Sequence, residues 1–252
     1  MLSKKIVKYI QSLSHKKFRE EEGAFIAEGT KVVSEFLLSE RMRCTMICAE
    51  KEWLLENDAL LKKITPENIF ETDDHWLKSI SLLNTPNKVV AVFKKKPLST
   101  APDVKGKISL MLDYLQDPGN MGTMIRIADW FGIEIIICSE NCVDCYNHKV
   151  VQSAMGSLAR VNIFYTDLTS FIDANKKIKV YAATLSGTNI FKFPKIEEGI
   201  ILIGNEANGV REDLIQLAPH QLTIPRYGHA ESLNAAVAAG IILSQVKALQ
   251  NS

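Results

Sequence analysis

Ile224-Pro225-Arg226-Tyr227-Gly228-His229-Ala230-Glu231-Ser232-Leu233-Asn234 runs directly into an apolar stretch at 235–243, AAVAAGIIL. Pro225 ends a strand because it lacks the ladder N–H, and Gly228 permits a tight bend. Ser232 stands where a helix N-cap belongs, its hydroxyl able to accept from the unpaired amides of a first turn. The stretch reads as strand, polar loop, helix. Two earlier segments, 117–126 and 203–209, have the same character, each a polar, glycine-bearing turn after an apolar strand. Around them, strands at 108–115, 133–138, 178–184, 200–204 and 221–224 alternate with helices at 123–131, 150–158, 210–217 and 232–249. Strands apolar on both faces and separated by helices predict an α/β fold with a parallel sheet flanked by helices. Loops leaving the carboxyl ends of such strands are where open α/β sheets hold ligands.

The first third of the chain reads differently. Ile6, Val7, Ile10 and Leu13 lie at helical spacing and make residues 1–17 a basic amphipathic helix, which residues 17–23 break. A short strand over 24–29 leads into a helix over 31–38, with Val32, Val33, Phe36 and Leu37 on its buried face. Strands around 44–48 and 88–93, with helices near 52–55 and 74–79, complete a small α/β unit. Residues 94–102, KKKPLSTAP, hold two prolines and little that could pack, so they read as a linker. The resulting division is a first domain at 1–98, a linker at 99–106 and a second domain at 107–252.

The 252 residues are 46% hydrophobic and 23% charged, well outside the disordered range. A net charge of +1 gives no argument for a nucleic-acid partner from the chain as a whole. The balance is uneven, however: residues 1–98 carry 17 basic and 14 acidic side chains, and Lys4, Lys5, Lys8, Lys16, Lys17 and Arg19 all precede the first acid, Glu20. A solvated helix face accounts for this cluster as well as an RNA-docking face does. The longest apolar run, 235–243, is far short of the ~18 residues of a membrane span. With no apolar leader region and an odd number of cysteines, five, a cytoplasmic protein with reduced thiols and no membrane association is expected. Cys138, Cys142, Cys145 and His148 are crowded and lack a distant second pair of ligands, so no metal is expected there. Residues 204–209, GNEANG, have the spacing of a loose phosphate loop. No Lys-Ser or Lys-Thr follows Gly209, and no G-x-G-x-x-G occurs, which disfavours nucleotide hydrolysis and a dinucleotide fold.

Taken together, DPGNMGTMIRIADWFG (117–132), ILIGNEANGV (201–210) and IPRYGHAESLNAAVAAGIIL (224–243) resemble the three ordered motifs of the SpoU/TrmH branch of the SPOUT RNA methyltransferases. The opening KKFREEEGAFIAEGTKVVSEFL (16–37) resembles the substrate-binding domain that often precedes them, a small α/β domain with a ribosomal-protein-L-thirty-like fold. The resemblance implies a deep trefoil knot in the second domain, with loops 184–187, 203–209 and 224–234 forming a pocket for S-adenosylmethionine. In that pocket Thr184, Leu185 and Gly187 border the adenine, Gly204 brings backbone close, and Ile224 and Leu233 supply apolar and main-chain contacts. Asn120 and Arg126 match the asparagine and the catalytic arginine of the first motif. Glu206 orders its neighbours through hydrogen bonds, and Ser232 and Asn234 match the serine and asparagine of the third. The implied reaction is methyl transfer to a ribose 2′-hydroxyl in structured RNA, ribosomal or transfer, by a homodimer joined through its C-terminal domains.

Each motif also has a plainer reading. Asp117-Pro118-Gly119-Asn120 suits a type II turn, with Thr123 capping the next helix and Arg126 in its first turn. Glu206 reads as an exposed turn residue and Ser232 as a cap alone. Chemistry favours the functional reading, because a guanidinium can hold a phosphate and a developing alkoxide together. It is never neutral in proteins, so Arg126 takes a positioning and electrostatic role and the proton acceptor stays open between Asp129 and His229. The alternative is an RNA-binding assembly factor that has kept the fold without activity. The presence of Asn120, Arg126, Glu206, Ser232 and Asn234 together argues against it.

Overall fold

The computed structural model describes residues 2–96 and 101–250, so the expected linker falls partly outside the described residues. Contacts divide the chain into two compact units, residues 1–97 with Asp144–Arg160 and residues 98–143 with 161–252.

In the first unit, β1 (Ala24–Glu28), β2 (Cys44–Ala49), β3 (Ile69–Glu71) and β4 (Val89–Lys94) form one sheet in the order β1-β4-β2-β3. β4 runs antiparallel to both neighbours, and β3 is parallel to β2. All of β1 is buried, and strand alternation explains how. Ala24 and Ile26 join a cluster with Ile10, Leu13, Leu77 and Val92. Phe25 faces the other way, its ring centroid 5.9 Å from that of Phe36 and 6.0 Å from that of Phe93. The first helix is Lys4–Ser12, and residues 17–23 do not simply break it. They belong to a second helix, Lys16–Glu22, which ends at Gly23. Its sequence hides it, since its inward side chain is a charged one, Arg19.

Arg19 points to a larger feature of this unit. Its guanidinium is buried and donates to Asp144 Oδ2 at 2.7 and 3.0 Å, and to the carbonyls of Leu13 and Ser14 at 3.0 and 2.8 Å. The helix His148–Ala154 packs on β1, and the Tyr146 ring lies 4.6 Å from that of Phe25. Lys96 completes the seam: its N–H donates to the Tyr146 hydroxyl and its Nζ to the carbonyls of Leu158 and Ala159. The single helix expected at 150–158 is in fact two pieces, His148–Ala154 and a 3-10 turn Ser157–Ala159, separated by Met155 and Gly156 at positive φ.

The second unit holds β5 (Ile108–Leu112), β6 (Ile135–Ser139), β7 (Asn162–Thr166), β8 (Val180–Asn189), β9 (Gly199–Ile203) and β10 (His220–Thr223). They form an all-parallel sheet in the order β10-β8-β9-β5-β6-β7. β5, β6 and β9 are buried throughout, as continuous apolar runs in a covered parallel sheet should be. Leu168, Phe171, Ile172 and Leu214 come from helices Leu168–Ala174 and Glu212–Leu217 and pack against Met111, Ile137, Val180 and Leu202. Helices Pro118–Trp130 and Ala235–Gln250 pack against each other. No helix among the described residues is long and apolar enough to cross a membrane.

Removing one partner of a buried ion pair leaves the other charge without compensation. Asp144→Ala is therefore expected to lower the unfolding free energy by about 3–5 kcal/mol in a urea titration. Lys16→Ala, which breaks an exposed helix pair with Glu20, should cost within about 0.5 kcal/mol. Equal effects of the two substitutions would show that Arg19 does not hold Asp144–Arg160 in place.

Candidate active site

The first loop of the site follows β5. Helix Pro118–Trp130 starts with proline at its first position, where the missing N–H costs nothing, and Asp117 caps it by accepting the Asn120 N–H at 2.7 Å. This corrects two expectations. The residues read as a type II turn are the first turn of the helix, and Arg126 lies past its middle. Asn120, held in that first turn, donates through Nδ2 to Glu206 Oε1 at 2.6 Å and accepts at Oδ1 from Asn234 Nδ2 at 2.8 Å. A carboxylate can only accept, so Glu206 fixes which way the Asn120 amide faces.

The second loop follows β9. Asn205 and Gly209 exchange backbone hydrogen bonds at 3.0 and 2.9 Å, which closes a small ring of chain around Glu206. Gly204 is required here, because a Cβ would stand 2.0 Å from the carbonyl carbon of Gly209. Asn205 Oδ1 accepts the Ala207 N–H at 2.8 Å, and its Nδ2 donates to the Tyr114 carbonyl at 2.9 Å.

The third loop follows β10. The last helix begins at Ala235 and not at 232, and its cap is Asn234, whose Oδ1 accepts the N–H groups of Ala236 and Val237 at 2.9 and 3.3 Å. Ser232, the expected cap, is exposed on the cavity rim. Asn234 thus divides its amide, oxygen to the helix and nitrogen to Asn120.

Residues 183–187 sit within β8 and not after it. β8 pairs with β10 at Tyr181 and Ala182, then again at Thr188 and Asn189, so the stretch between bulges out. Thr184 Oγ1 lies 3.5 Å from Gln221 Oε1, and the Leu185 carbonyl accepts from Thr223 Oγ1 at 3.2 Å. Gly187 lets the two backbones meet, since a Cβ there would be 2.5 Å from the Gln221 carbonyl.

These segments surround a cavity of about 680 Å³. Thr184, Leu185, Gly204, Glu206, Ile224, Ser232 and Leu233 line it, whereas Gly187 packs outside it. Asn120 and Asn234 reach its edge through Glu206. Arg126 is not brought to this network. Its side chain is exposed and makes no hydrogen bond or ion pair to another described residue, and it lies six positions after Asn120. On a helix that is about 9 Å along the axis and roughly 120° around it. The walls are largely apolar, with Ile203, Leu222, Ile224, Leu233 and Ile242, and their polar groups are loop backbone, Thr184, Asn205, Asn208, Thr223 and Ser232, with two carboxylates, Glu206 and Glu231, and one cation, Arg226. Apolar walls for a purine and carboxylates near a cationic centre fit an adenosyl sulfonium.

Sequence reasoning missed Asp113 and Arg211, which join the first two loops by two hydrogen bonds of 3.0 Å each. One signal was available: Asp113 is a lone acid immediately after a wholly buried strand that is apolar but for Ser109. The Cys142 thiol also braces the first loop, accepting the Leu115 N–H and donating to the Leu112 carbonyl. Its hydrogen bond with Cys138 leads in pulling it down to about 7 against the effect of burial. No group of three or more His, Cys, Asp or Glu side chains able to hold a metal occurs among the described residues.

A parallel sheet whose loops converge on an adenosyl-sized apolar cavity, with an Asn-Glu-Asn network at its edge, defines an α/β transferase class. Residues 107–244 match the SpoU rRNA Methylase family and residues 4–91 the MRM3-like substrate binding domain. The chain belongs to the SpoU rRNA methylase family, as its three motifs led one to expect. It is 32% identical to 23S rRNA (guanosine(2553)-2′-O)-methyltransferase RlmP of Bacillus subtilis, over 96% of this chain and 95% of that one. It is 27% identical to the 23S rRNA (uridine(2479)-2′-O)-methyltransferase of Streptomyces viridochromogenes, over 92% and 85%. Among solved structures, the AdoMet-bound rRNA methyltransferase from Sinorhizobium meliloti superposes with a TM-score of 0.86 at 29% identity, covering 98% of this chain and 96% of that one.

The network supplies its own test. Asn120→Asp sets a second carboxylate against Glu206, whereas Asn120→Ala removes the donor to Glu206 and the acceptor for Asn234 without adding a charge. Loss of a hydrogen bond to a charged group is worth about 1.5–3 kcal/mol, so Asn120→Ala should lose about tenfold to a hundredfold in methyl-transfer rate. Asn120→Asp should lose more, despite being closer in size to asparagine. A less damaging Asn120→Asp would show that the amide's orientation against Glu206 is unimportant.

Proposed function

We propose that this chain transfers the methyl group of S-adenosylmethionine to a ribose 2′-oxygen of ribosomal RNA. The observation that carries the reading is the Asn120-Glu206-Asn234 network, which ties three loops together at the edge of the cavity. Two relatives named above act on 23S rRNA, which favours ribosomal over transfer RNA as substrate. One modifies a guanosine and the other a uridine, so the chemistry at the ribose leaves the base open.

When bound, S-adenosylmethionine supplies a methyl group already activated by its sulfonium, so the protein's task is mainly proximity and exclusion of water. Leu185, Ile224 and Leu233 would hold the adenosyl group from its apolar faces, with backbone of 204–209 and the side chain of Thr184 at its polar edge. Asn120 and Asn234, oriented by Glu206, would align the ribose hydroxyl. Arg126 would grip the adjacent phosphate and stabilise charge developing on the 2′-oxygen, while Asp129 and His229 are the candidate proton acceptors.

The same reading includes a deep trefoil knot in a catalytic domain at 107–252 and a ribosomal-protein-L-thirty-like RNA-docking domain at 1–98. The backbone approach of Gly187 to Gln221 and the placement of β10 beyond β8 support the knot. It also includes a homodimer. Trp130 is 84% exposed at the end of one helix and Val237 is exposed on the helix packed against it, with Ile127 and Ile241 half-buried between solvent and core. Exposed apolar side chains on two adjoining helices suit a self-complementary interface. Arg126 is exposed on the first of these helices. A second copy covering that face would also end its isolation in solvent.

Arg126→Ala is expected to lower methyl transfer on the order of 10²–10³-fold while leaving cofactor affinity nearly intact. Arg126→Lys should recover little, because lysine keeps the charge and loses the planar fork that holds two oxygens at once. Full activity in Arg126→Ala would remove this side chain from the mechanism, and absence of transfer by the unmodified chain would revive the reading as an inactive assembly factor.

A further inference from the structure

We propose that Asp113 and Arg211 form a positioning pair that sets cofactor affinity by clamping the loop of residues 204–210. The proposal rests on the reading of the cavity as the S-adenosylmethionine site. All seven residues of this loop line the cavity, so its shape is the shape of one wall. A loop of this kind has few internal restraints of its own. Here it has the Asn205-Gly209 backbone pair and the turn closed by Asn205 Oδ1. What fixes that ring against the sheet lies outside it, at the two consecutive residues that follow β5.

Asp113 continues the sheet by donating its N–H to the Ile203 carbonyl at 2.9 Å, immediately before the loop begins. Its carboxylate, 1% exposed, spends one oxygen on each of two donors, both from Arg211 immediately after the loop ends. Oδ2 accepts the backbone N–H and Oδ1 accepts Nε, each at 3.0 Å. Tyr114, the next residue, takes the Asn205 amide on its carbonyl at 2.9 Å. It adopts φ 59°, a left-handed conformation that a residue with a side chain keeps only where its surroundings enforce it. Ser139 Oγ holds its N–H at 2.9 Å. The entry and exit of the cofactor loop are thus tied to adjacent residues just past a central strand, and the buried carboxylate is the anchor. Arg211 also caps the short helix Glu212–Leu217 through its backbone, so a purely structural role is the competing explanation.

Arg211 separates the two, because its side chain is 47% exposed and its truncation leaves the backbone donor in place. The test uses the full-length chain, with S-adenosylmethionine binding by calorimetry, steady-state kinetics on ribosomal RNA and a thermal melt. Arg211→Ala is expected to raise the dissociation constant and KM for S-adenosylmethionine about tenfold, the loss of one hydrogen bond to a charged group, with the KM for RNA unmoved even where the loss of its partner to a buried carboxylate lowers the melting midpoint. Arg211→Lys should fall between, since its single nitrogen cannot reproduce the Nε geometry. Asp113→Asn should show the same selective rise in KM, and it stands as the second variant because Asp113→Ala risks misfolding. Unchanged cofactor affinity in Arg211→Ala, or a lowered melting midpoint with both KM values shifted together, would overturn the clamp. Absence of cofactor binding by the unmodified chain would overturn the cavity assignment and the clamp with it.

Discussion

The second unit depends on one short polar chain, the amide of Asn120 held between the carboxylate of Glu206 and the amide of Asn234. Each link has a single allowed direction. Glu206 can only accept, so Asn120 must donate with its nitrogen, and its oxygen is then free to accept from Asn234. Asn234 has its own oxygen committed to the first amides of the last helix. The start of one helix, the loop after β9 and the start of another helix are thereby locked in register, although they are spread over more than a hundred residues. Partly desolvated networks of this kind are rigid when every member is satisfied and costly when one is missing.

Much of this was legible from the residues. Five of the six parallel strands were expected, β5, β6 and β9 from near-continuous apolar runs, and the loops after β5, β9 and β10 stand out by their glycines and small polar side chains. The edge strand β7 and the helix after it were not expected, because half-buried residues such as Ile163 and Tyr165 carry no continuous apolar signal. Caps were misplaced for a different reason. Ser232 and Thr123 have the right chemistry for capping, but so do Asn234 and Asp117, and only backbone geometry decides among neighbours with equal propensity. Asp113 and Arg211 lie 98 positions apart, and no local pattern pairs them.

The first unit shows the same limit at larger scale. Phe36 was legible as core from its helical spacing, and Phe25 and Phe93 fall in expected strands, but nothing near them in the chain says that β1 needs a cover from Tyr146 and the helix His148–Ala154. Arg19 was read as part of a basic surface because five lysines precede it. It is instead a buried cation held by Asp144 and two carbonyls, and the true basic surface here is the set of lysines alone. The family match runs without interruption through 107–244, while contacts assign Asp144–Arg160 to the first unit. Family boundaries follow shared ancestry along the chain and compact units follow packing, so the two need not coincide.

Ribose methylation has a chemical signature that depends on no assumption about individual residues. A 2′-oxygen must be free to attack its neighbouring phosphate for alkali to cleave RNA, so a methyl group there protects one linkage. The most direct measurement is transfer of labelled methyl from S-adenosylmethionine to ribosomal RNA by the purified protein, followed by complete alkaline hydrolysis. The label should be recovered in alkali-resistant dinucleotides. Recovery of the label in mononucleotides would place the methyl on a base, and absence of any transfer to ribosomal RNA would contradict the assignment as a whole.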